Sequence, residues 1–354
     1  MSVWCSLKAI PEELRLDTTL KCGQSFRWKL SGENEWSCAF KGKLITLRQT
    51  ATGVEYRTYF HSDFQTSSQD KITVEKQRQR EIDQEYKEIH EFLVDYFQLH
   101  VNLRERYDQW SLMDKHFARI ANQFPGIRIL RQDPVENVIC FICSTNNNIA
   151  RISQMIEKLC RKYGQKVYTL DGQEYFDFPT LDKLVSPKVE EELQQLGFGY
   201  RARYIAQTAR ILKEKYPDGE QWLHSLRKLE YKDARAALLQ LTGVGPKVAD
   251  CVCLMSLDKN DAIPVDTHVW QIAKREYGFG GKGETRNMKT LTSRLYEAVG
   301  DHFRKLFGDY SGWAHSVLFT ADLKAFEDRQ NNLGKLKPTT LTSELTINNK
   351  RRRL

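Results

Sequence analysis

The sequence contains no hydrophobic run long enough to cross a membrane, and its most apolar stretch, residues 248–257, is interrupted by Asp250 and Ser256. The N-terminus lacks the basic, apolar and small-residue order of a secretory signal peptide. Both absences argue against a membrane or secreted protein. With 354 residues, 40% of them hydrophobic and 28% charged, we expect a globular chain of two or three domains without a membrane partner.

Cysteine is absent after Cys253, which excludes a C-terminal four-cysteine iron–sulfur loop. Without a secretory signal, the eight cysteines are expected to be reduced thiols. Cys140 and Cys143 have a spacing found in metal and redox sites, but they lie in an apolar helical run and no second pair follows. We therefore expect neither a metal nor a cofactor.

A strong excess of charge is also missing from most of the chain. The formal net charge is +8, but residues 331–354 hold six basic residues and one acidic residue, which leaves only +3 for the rest. Bulk charge is therefore weak support for nucleic-acid binding, and any such function must be argued from local clusters.

The pattern of the first 60 residues indicates strands: 36–40 and 44–50 form a hairpin-like pair, and 54–60 add a third strand. Residues 62–85 are predicted as a long loop or a solvated helix start, and a helical period begins at Ile82. After residue 110 nearly everything is predicted helical, including a helix opened by Asp133-Pro134 with Glu136 as its capping-box acid.

The predicted fold class is therefore α+β, with a small N-terminal antiparallel β-sheet domain packed on a larger all-α domain. We expect the β domain and a flanking helix at 1–110, the helical domain at 111–327, and a disordered basic tail at 328–354.

The sharpest local pattern is a Gly243-Val-Gly245 turn between two predicted helices, followed by Lys247. The N–H groups at the start of the second helix suit a phosphate oxygen, although an ordinary helical hairpin that binds nothing has the same turn. The helix dipole disfavours an ammonium ion at this end, and a Schiff-base nucleophile acts as the free amine. Lys247 is thus either a nucleophile or a phosphate-binding lysine.

Asp266 lies nineteen residues further on, in Pro264-Val-Asp-Thr-His268, just before another predicted helix. Helix N-capping alone would explain this aspartate. Capping is also compatible with a catalytic carboxylate, because the cap holds the side chain ionised and in place.

Five motifs in this order resemble the helix-hairpin-helix DNA glycosylase superfamily and, within it, the eukaryotic 8-oxoguanine DNA glycosylase/AP lyase family. They are Gly23-Gln-Ser-Phe-Arg-Trp28, Phe141-Ile-Cys-Ser-Thr-Asn146-Asn-Asn-Ile-Ala-Arg151, Gly197-Phe-Gly-Tyr200-Arg201-Ala-Arg203-Tyr204, the segment from Gly243 to His268, and Gly312-Trp-Ala-His-Ser-Val-Leu-Phe319. The resemblance implies a base-excision repair enzyme that flips 8-oxoguanine, paired with cytosine, out of duplex DNA. It would cleave the N-glycosidic bond through a Lys247 Schiff base and nick the strand by β-elimination.

The resemblance also implies a role for each matching residue. Asp266 would stabilise positive charge on the sugar, the Gly23 carbonyl would accept from N7–H of the lesion, and Cys251 and Phe319 would sandwich the flipped base. For Cys251 and Phe319, core packing is the alternative. The backbones of Gly243 and Gly245 would approach a DNA phosphate, and His268 is either a further phosphate contact or a simple surface histidine.

The orphaned cytosine would be held by Asn146, Arg151 and Arg201, with Tyr200 wedged into the space left by the flipped base. Tyr200 follows a Gly-Phe-Gly turn at a helix start, where an exposed aromatic side chain has no obvious core role.

Two positions depart from the family pattern. Thr242 replaces a frequent proline, and His315 stands where the family typically has a glutamine that binds the Watson–Crick edge of the lesion. An unperturbed histidine titrates near pH 6.5, so we expect activity to weaken as the pH falls through that value.

Two other functions stay open at this stage. One is a related glycosylase acting on oxidised pyrimidines or mispaired adenine, although many of those carry the iron–sulfur loop and lack the β domain. The other is a non-catalytic DNA-binding module, which would leave the Lys247/Asp266 pair unexplained. We further expect a monomer that enters the nucleus, with the mitochondrion as a second compartment. The basic run Lys350–Arg353 is either a nuclear localisation signal or a solvated basic end.

Overall fold

The computed structural model describes residues 3–59, 71–279 and 291–331. Its N-terminal part contains a five-stranded antiparallel sheet in the order β1-β5-β4-β3-β2. The strands are β1 (Cys5–Ser6), β2 (Lys29–Gly32), β3 (Glu35–Phe40), β4 (Lys43–Gln49) and β5 (Val54–Tyr59). The three predicted strands are confirmed as β3, β4 and β5, and the short strands β1 and β2 were not predicted.

The β3–β4 hairpin turns at Lys41 and Gly42, whose φ angles of 50° and 78° suit a tight two-residue hairpin turn. The register pairs Trp36 with Leu47 and Cys38 with Ile45, and all four side chains are buried. The sheet therefore presents one face of large apolar residues, which needs a covering element.

That covering element is helix α2 (Lys71–Tyr96), which begins earlier than the periodicity from Ile82 predicted. Ile89, Leu93 and Tyr96 are buried in one apolar cluster with strand residues such as Trp36 and Leu47. Residues 60–70, part of the predicted loop or helix start, lie outside the described residues. Within the described residues, no helix is both long and apolar enough for a membrane span.

Most of the remaining chain is helical, as predicted. The short helix α1 (Leu16–Thr19) precedes the sheet, and the later helices are α3 (Leu103–Met113), α4 (Lys115–Ala121), α5 (Pro134–Ile142), α6 (Ile149–Tyr163), α7 (Leu181–Leu184), α8 (Val189–Gln195), α9 (Arg201–Lys215), α10 (Gly219–Ser225), α11 (Tyr231–Leu238), α12 (Pro246–Ser256), α13 (Thr267–Tyr277), α14 (Ser293–Phe307), α15 (Ser311–Asp322) and α16 (Glu327–Asn331). A second hairpin, β6 (Lys166–Leu170) and β7 (Gln173–Phe176), interrupts them.

The hairpin β6–β7 was not predicted from the sequence. Asp171 and Gly172 form its turn with φ angles of 47° and 79°. An Asp-Gly pair between two alternating segments is a strong hairpin signal, so the sequence did contain the information. The turn joins two strands that pack beside the N-terminal sheet, with Val167 and Tyr175 buried against Ala39 and Leu44.

Buried polar contacts join the sheet to the helices. Arg27, which precedes β2, donates from Nε and Nη2 to the two carboxylate oxygens of Glu136 on α5 at 2.9 and 2.8 Å. Both side chains are less than a tenth exposed. Phe26 also packs in the helical core, whereas Leu130 packs in the sheet core. The predicted domain boundary at residue 110 stays a prediction, and side chains from both sides of it share these cores.

The C-terminal boundary of the helical part lies slightly beyond the predicted one. Helix α16 runs to Asn331, so the first four residues of the predicted tail are helical. Arg329 forms an ion pair with Asp17, which ties this helix to the N-terminal part. Residues 332–354, including the basic run Lys350–Arg353, lie outside the described residues.

Candidate active site

The turn between α11 and α12 is built around two glycines with different surroundings. Gly243 has a φ of +80°, and a Cβ on it would lie 2.7 Å from the Cβ of Tyr204 on α9. Gly245 is the N-cap of α12, and a Cβ there would meet nothing within 4 Å. The first glycine therefore seats the hairpin against α9, whereas the second leaves the new helix N-terminus open to another molecule.

Lys247 is the second residue of α12 and is half-buried. Its Nζ donates to the Ser144 Oγ at 3.1 Å and lies 5.0 Å from the centre of the Phe141 ring. Phe141 belongs to α5, and Ser144 follows the end of that helix. The lysine side chain therefore bridges from the N-terminus of one helix to the C-terminal end of another, where the helix dipole favours a cation.

Asp266 is the N-cap of α13, as the sequence indicated. Its Oδ1 accepts from the backbone N–H groups of His268 and Val269 at 2.9 and 3.0 Å. Both capping bonds end on the same oxygen, so the cap does not use Oδ2. The carboxylate is thus held in place with one oxygen left for another role.

A cavity of about 50 Å³ brings the predicted catalytic and lesion-binding residues together. Its lining includes Gly23, Lys247, Cys251, Asp266, His315 and Phe319. These six residues come from three of the five motifs, so the fold brings together segments that are far apart in the chain. The partly buried Phe319 ring forms one wall of this cavity.

Burial shifts the pKa of two side chains that line this cavity, Cys251 and His315. Burial raises the pKa of the Cys251 thiol to about 12, although the nearby Lys247 opposes the shift. Cys251 is therefore a neutral thiol that offers a compact, polarizable surface rather than a thiolate nucleophile.

His315 is 4% exposed, and neither of its ring nitrogens has a hydrogen-bond partner. Burial lowers the pKa of His315 to about 4, with Asp266 opposing the shift. The expectation that His315 titrates near pH 6.5 is therefore wrong, because it assumed an unperturbed imidazole. The neutral ring stacks on Phe319 with centroids 6.4 Å apart, so it borders the base pocket as the four-residue spacing on α15 predicted.

Gly23 has a φ of +86°, and a Cβ on it would lie 3.0 Å from the Ile149 Cδ1. Its backbone is fixed by the next residue, Gln24, whose side-chain Nε2 donates to the Arg128 carbonyl at 2.8 Å. The Gln24 carbonyl in turn accepts from the Gln132 Nε2 at 2.9 Å. These buried amides hold the loop in place beside the cavity, as a backbone contact to a ligand requires, and glycine adopts the positive φ without strain.

Sequence reasoning missed several residues that line the same cavity. Gln24 adjoins the predicted Gly23, and Ser316 and Thr320 lie next to His315 and Phe319 on α15. Their position beside predicted site residues was the available signal. The full set of missed lining residues is Cys22, Gln24, Phe141, Met255, Pro264, Ser316 and Thr320.

The residues expected to contact the opposite strand lie together but outside the cavity. Tyr200 is 49% exposed, and its hydroxyl donates to the Thr145 carbonyl at 3.0 Å. Asn146, in the loop before α6, and Arg151, on α6, are both exposed, and Asn146 has a φ of +48°. Arg201 is only 4% exposed, and its Nη2 donates to the carbonyls of Thr145 and Asn146.

In the chain without DNA, the Arg201 guanidinium therefore supports the Asn146 loop and lies 4.5 Å from the centre of the Tyr200 ring. Both bonds use Nη2, whereas Nε has no hydrogen-bond partner in the described part of the chain. His268 is exposed, and its ring meets the edge of Phe319 at 6.1 Å, so it lies beside the cavity entrance.

Cys140 and Cys143 are buried, and burial raises the pKa of both thiols, that of Cys143 to about 12. Among the residues that the structure describes, no three His, Cys, Asp or Glu side chains are placed to hold a metal ion.

Comparisons with known proteins agree with this geometry. Residues 6–138 match the family model described as 8-oxoguanine DNA glycosylase, N-terminal domain, and residues 139–298 match the HhH-GPD superfamily of base excision DNA repair proteins. The chain is 39% identical over 322 residues to the N-glycosylase/DNA lyase OGG1 of Arabidopsis thaliana, covering 91% of this chain and 81% of that protein. It is 37% identical to the N-glycosylase/DNA lyase of Saccharomyces cerevisiae, covering 88% and 84%.

A solved structure has a similar fold. It is the 8-oxoguanine glycosylase/lyase of Clostridium acetobutylicum in complex with duplex DNA containing cytosine opposite 8-oxoG, with a TM-score of 0.68 and 26% identity. The alignment covers 94% of this chain and 96% of that one. The fold and the site thus define a helix-hairpin-helix enzyme of base excision repair, a bifunctional DNA glycosylase and lyase. More narrowly, the chain belongs to the eukaryotic 8-oxoguanine DNA glycosylase/AP lyase family.

Proposed function

We propose that this chain excises 8-oxoguanine paired with cytosine from duplex DNA and then nicks the strand at the resulting site. The observation that carries the proposal is the cavity in which Lys247 and Asp266 meet Gly23, Cys251, His315 and Phe319. A nucleophile, a fixed carboxylate, a glycine turn and an aromatic ring converge there. That combination suits a purine held beside its own sugar.

In the first step, the neutral Lys247 amine attacks the sugar C1′ and forms a C–N bond. The glycosidic bond breaks, and the base leaves with the bonding electron pair and takes up a proton. Asp266, fixed by its capping bonds, stabilises the positive charge that develops on the sugar. The C1′–O4′ bond then breaks, the nitrogen lone pair forms the C=N bond and O4′ takes up a proton. The product is the protonated imine, in which the enzyme and the sugar are joined covalently.

In the second step, a base removes a proton from C2′ of the imine. The electrons of that C–H bond form a new double bond to C3′, and the C3′–O bond breaks with release of the 3′ phosphate. Hydrolysis of the imine then regenerates the Lys247 amine. Strand cleavage thus follows from the same lysine without a second nucleophile.

The match of residues 6–138 to an 8-oxoguanine DNA glycosylase domain supports a purine lesion over an oxidised pyrimidine. The test is borohydride trapping on duplexes that carry 8-oxoguanine opposite each of the four bases. The wild type should form the most adduct opposite cytosine. Lys247→Gln should bind the lesion duplex but lose both base excision and trapping. Adducts that persist in that variant would move the nucleophile elsewhere.

We also propose that the chain acts as a monomer in the nucleus, with the basic run Lys350–Arg353 as its localisation signal. Because α16 extends to Asn331 and Arg329 pairs with Asp17, a clean truncation ends after Asn331. This variant should retain excision in vitro and lose nuclear accumulation of a fluorescent fusion. Unchanged import would leave the run without a targeting role. Light scattering of the full chain tests the monomer.

A further inference from the structure

The loop formed by residues 143–148 lies between α5 and α6 and has a conformation fixed by its own hydrogen bonds. The Ser144 N–H donates to the Phe141 carbonyl at 3.0 Å. The Asn147 Nδ2 donates to the Cys143 carbonyl at 2.9 Å, and the Asn148 Oδ1 accepts from the Arg151 N–H at 3.0 Å. A loop held in this way can transmit a displacement from one end to the other.

Within this loop, the Ser144 hydroxyl has two partners with different roles. It donates its single hydrogen to the Phe141 carbonyl at 2.8 Å and accepts from the Lys247 Nζ at 3.1 Å. Because its hydrogen is already used, Ser144 presents only lone pairs to the lysine. The contact therefore persists when Lys247 is a neutral amine, which still has N–H groups to donate.

This contact fixes the direction of the amine. A neutral amine that donates an N–H to Ser144 has its lone pair directed elsewhere. Phe141 occupies another side of the nitrogen, with its ring centre 5.0 Å away. Lys247 also lines the cavity that Asp266 and Cys251 line, and that is the remaining open side.

On the other side of the loop, the Thr145 carbonyl accepts hydrogen bonds from two residues that are expected to contact the DNA strand opposite the lesion. The Tyr200 hydroxyl donates to it at 3.0 Å, and the Arg201 Nη2 donates to it as well. Because Ser144 and Thr145 are adjacent, the loop connects the Lys247 amine to the Tyr200 hydroxyl. A shift of Tyr200 on DNA would therefore either break this bond or displace the loop that carries Ser144.

We propose that Ser144 is a positioning residue that aims the Lys247 amine at the sugar, and that the Tyr200 hydroxyl acts on the amine through the same loop. This inference rests on the proposed function, because it takes Lys247 as the nucleophile. Nothing in it depends on which lesion is bound, so an abasic-site duplex is a sufficient substrate.

The first experiment measures single-turnover borohydride trapping on an abasic-site duplex, together with duplex affinity. Ser144→Ala should slow trapping by about tenfold or more, since small misplacements of a reacting group have large rate effects, while affinity stays within about twofold. Ser144→Thr keeps the hydroxyl and should recover most of the rate. Ser225→Ala is the matched control: the Ser225 Oγ donates to the Trp222 carbonyl three residues back, like Ser144, but it does not contact the lysine.

The second experiment is a double-mutant cycle with Tyr200→Phe, which keeps the ring and removes only the hydroxyl. Tyr200→Phe should slow trapping in the wild type but have little further effect in Ser144→Ala, because both changes act through one loop. Effects that multiply would overturn the coupling. A Ser144→Ala enzyme that traps at the wild-type rate, or a Ser144→Thr enzyme as slow as Ser144→Ala at equal Tm, would overturn the positioning role.

Failure of this inference is distinguishable from failure of the proposed function. If Lys247→Gln still forms adducts, the nucleophile is wrong, whatever Ser144 does. If Lys247→Gln loses all adducts while Ser144→Ala reacts normally, only the role of Ser144 is wrong.

Discussion

Gly243 packs directly against Tyr204: a Cβ on this glycine would lie 2.7 Å from the Tyr204 Cβ, and its φ of +80° disfavours any L side chain. Two residues later, Gly245 faces open space. The fold therefore requires a glycine at position 243, whereas it has space for a side chain at position 245. For the second glycine we propose that a DNA backbone approaches closely at this position.

This contrast predicts opposite outcomes for two alanine substitutions. Gly243→Ala should destabilise the chain by about 2 kcal/mol or more, because the strained φ and the contact with Tyr204 both oppose a methyl group. Gly245→Ala should leave the Tm nearly unchanged but weaken binding to duplex DNA several-fold. Thermal unfolding and fluorescence anisotropy with a labelled duplex measure the two effects. If Gly245→Ala binds DNA like the wild type, the open N-terminus of α12 is not a phosphate site.

Asp266 is a helix cap, and we propose a second role for it as a catalytic carboxylate. Asparagine can still cap a helix, so Asp266→Asn should keep the wild-type stability while slowing base excision severely. Asp266→Ala should lose the cap as well, which costs about 1 kcal/mol of stability. Single-turnover excision and urea unfolding of both variants separate the roles. An Asp266→Asn enzyme with the wild-type excision rate would reduce Asp266 to a cap.

Two arginines proposed to contact the opposite cytosine differ in the DNA-free chain, and their variants should differ too. Each guanidinium offers a rigid donor fork that matches acceptors on cytosine, so Arg151→Ala and Arg201→Ala should both narrow the preference for cytosine over adenine opposite the lesion. Only Arg201→Ala should also lower the Tm, because Arg201 is buried and bonded to the Asn146 loop. Excision rates on all four pairings provide the measurement. Equal losses against every pairing would make these arginines phosphate contacts.

The sequence predicted the fold best where local chemistry alone decides the structure. The Asp133 Oδ1 caps α5 by accepting from the Val135 and Glu136 N–H groups, as its position before Pro134 indicated. The same pattern predicted Glu136 as a capping-box acid, but its carboxylate forms a buried pair with Arg27, more than a hundred residues away. Tertiary contact decided the role of that side chain, and no local pattern contains such information.

The same distinction applies to the candidate site. The motifs pointed to Lys247, Asp266 and four further residues of the cavity because each motif is local and ordered in the chain. They did not identify Ser144 as the partner of the Lys247 amine, because that contact joins residues a hundred positions apart. From the sequence we also expected an unperturbed pKa for His315, because the burial of a side chain depends on tertiary packing and not on its neighbours in sequence.

The buried His315 leads to a stability prediction with a definite sign. In the unfolded chain its pKa is about 6.5, whereas in the folded chain burial lowers it to about 4. Between these values the unfolded state binds more protons, so the free energy of unfolding decreases as the pH falls below about 6.5, and the decrease levels off below about 4. At pH 5 the expected loss from this residue is about 2 kcal/mol.

His315→Gln removes the titrating ring. Between pH 7 and pH 5, the free energy of unfolding of the variant should therefore fall by about 2 kcal/mol less than that of the wild type. Urea unfolding at both pH values measures this difference, and carboxylates that titrate alike in both proteins cancel in the comparison.

The lowered pKa of His315 also changes the expectation for base excision, because no loss of activity is now expected near pH 6.5. The pH profiles of the excision rate of the wild type and His315→Gln should run parallel above about pH 5.5. A loss of activity near pH 6.5 that disappears in His315→Gln would mean that the imidazole is not buried in the active enzyme. If the stability of both proteins changes equally with pH, the lowered pKa of His315 is wrong. The buried environment beside Phe319, in which neither ring nitrogen has a hydrogen-bond partner among the described residues, would then be wrong as well.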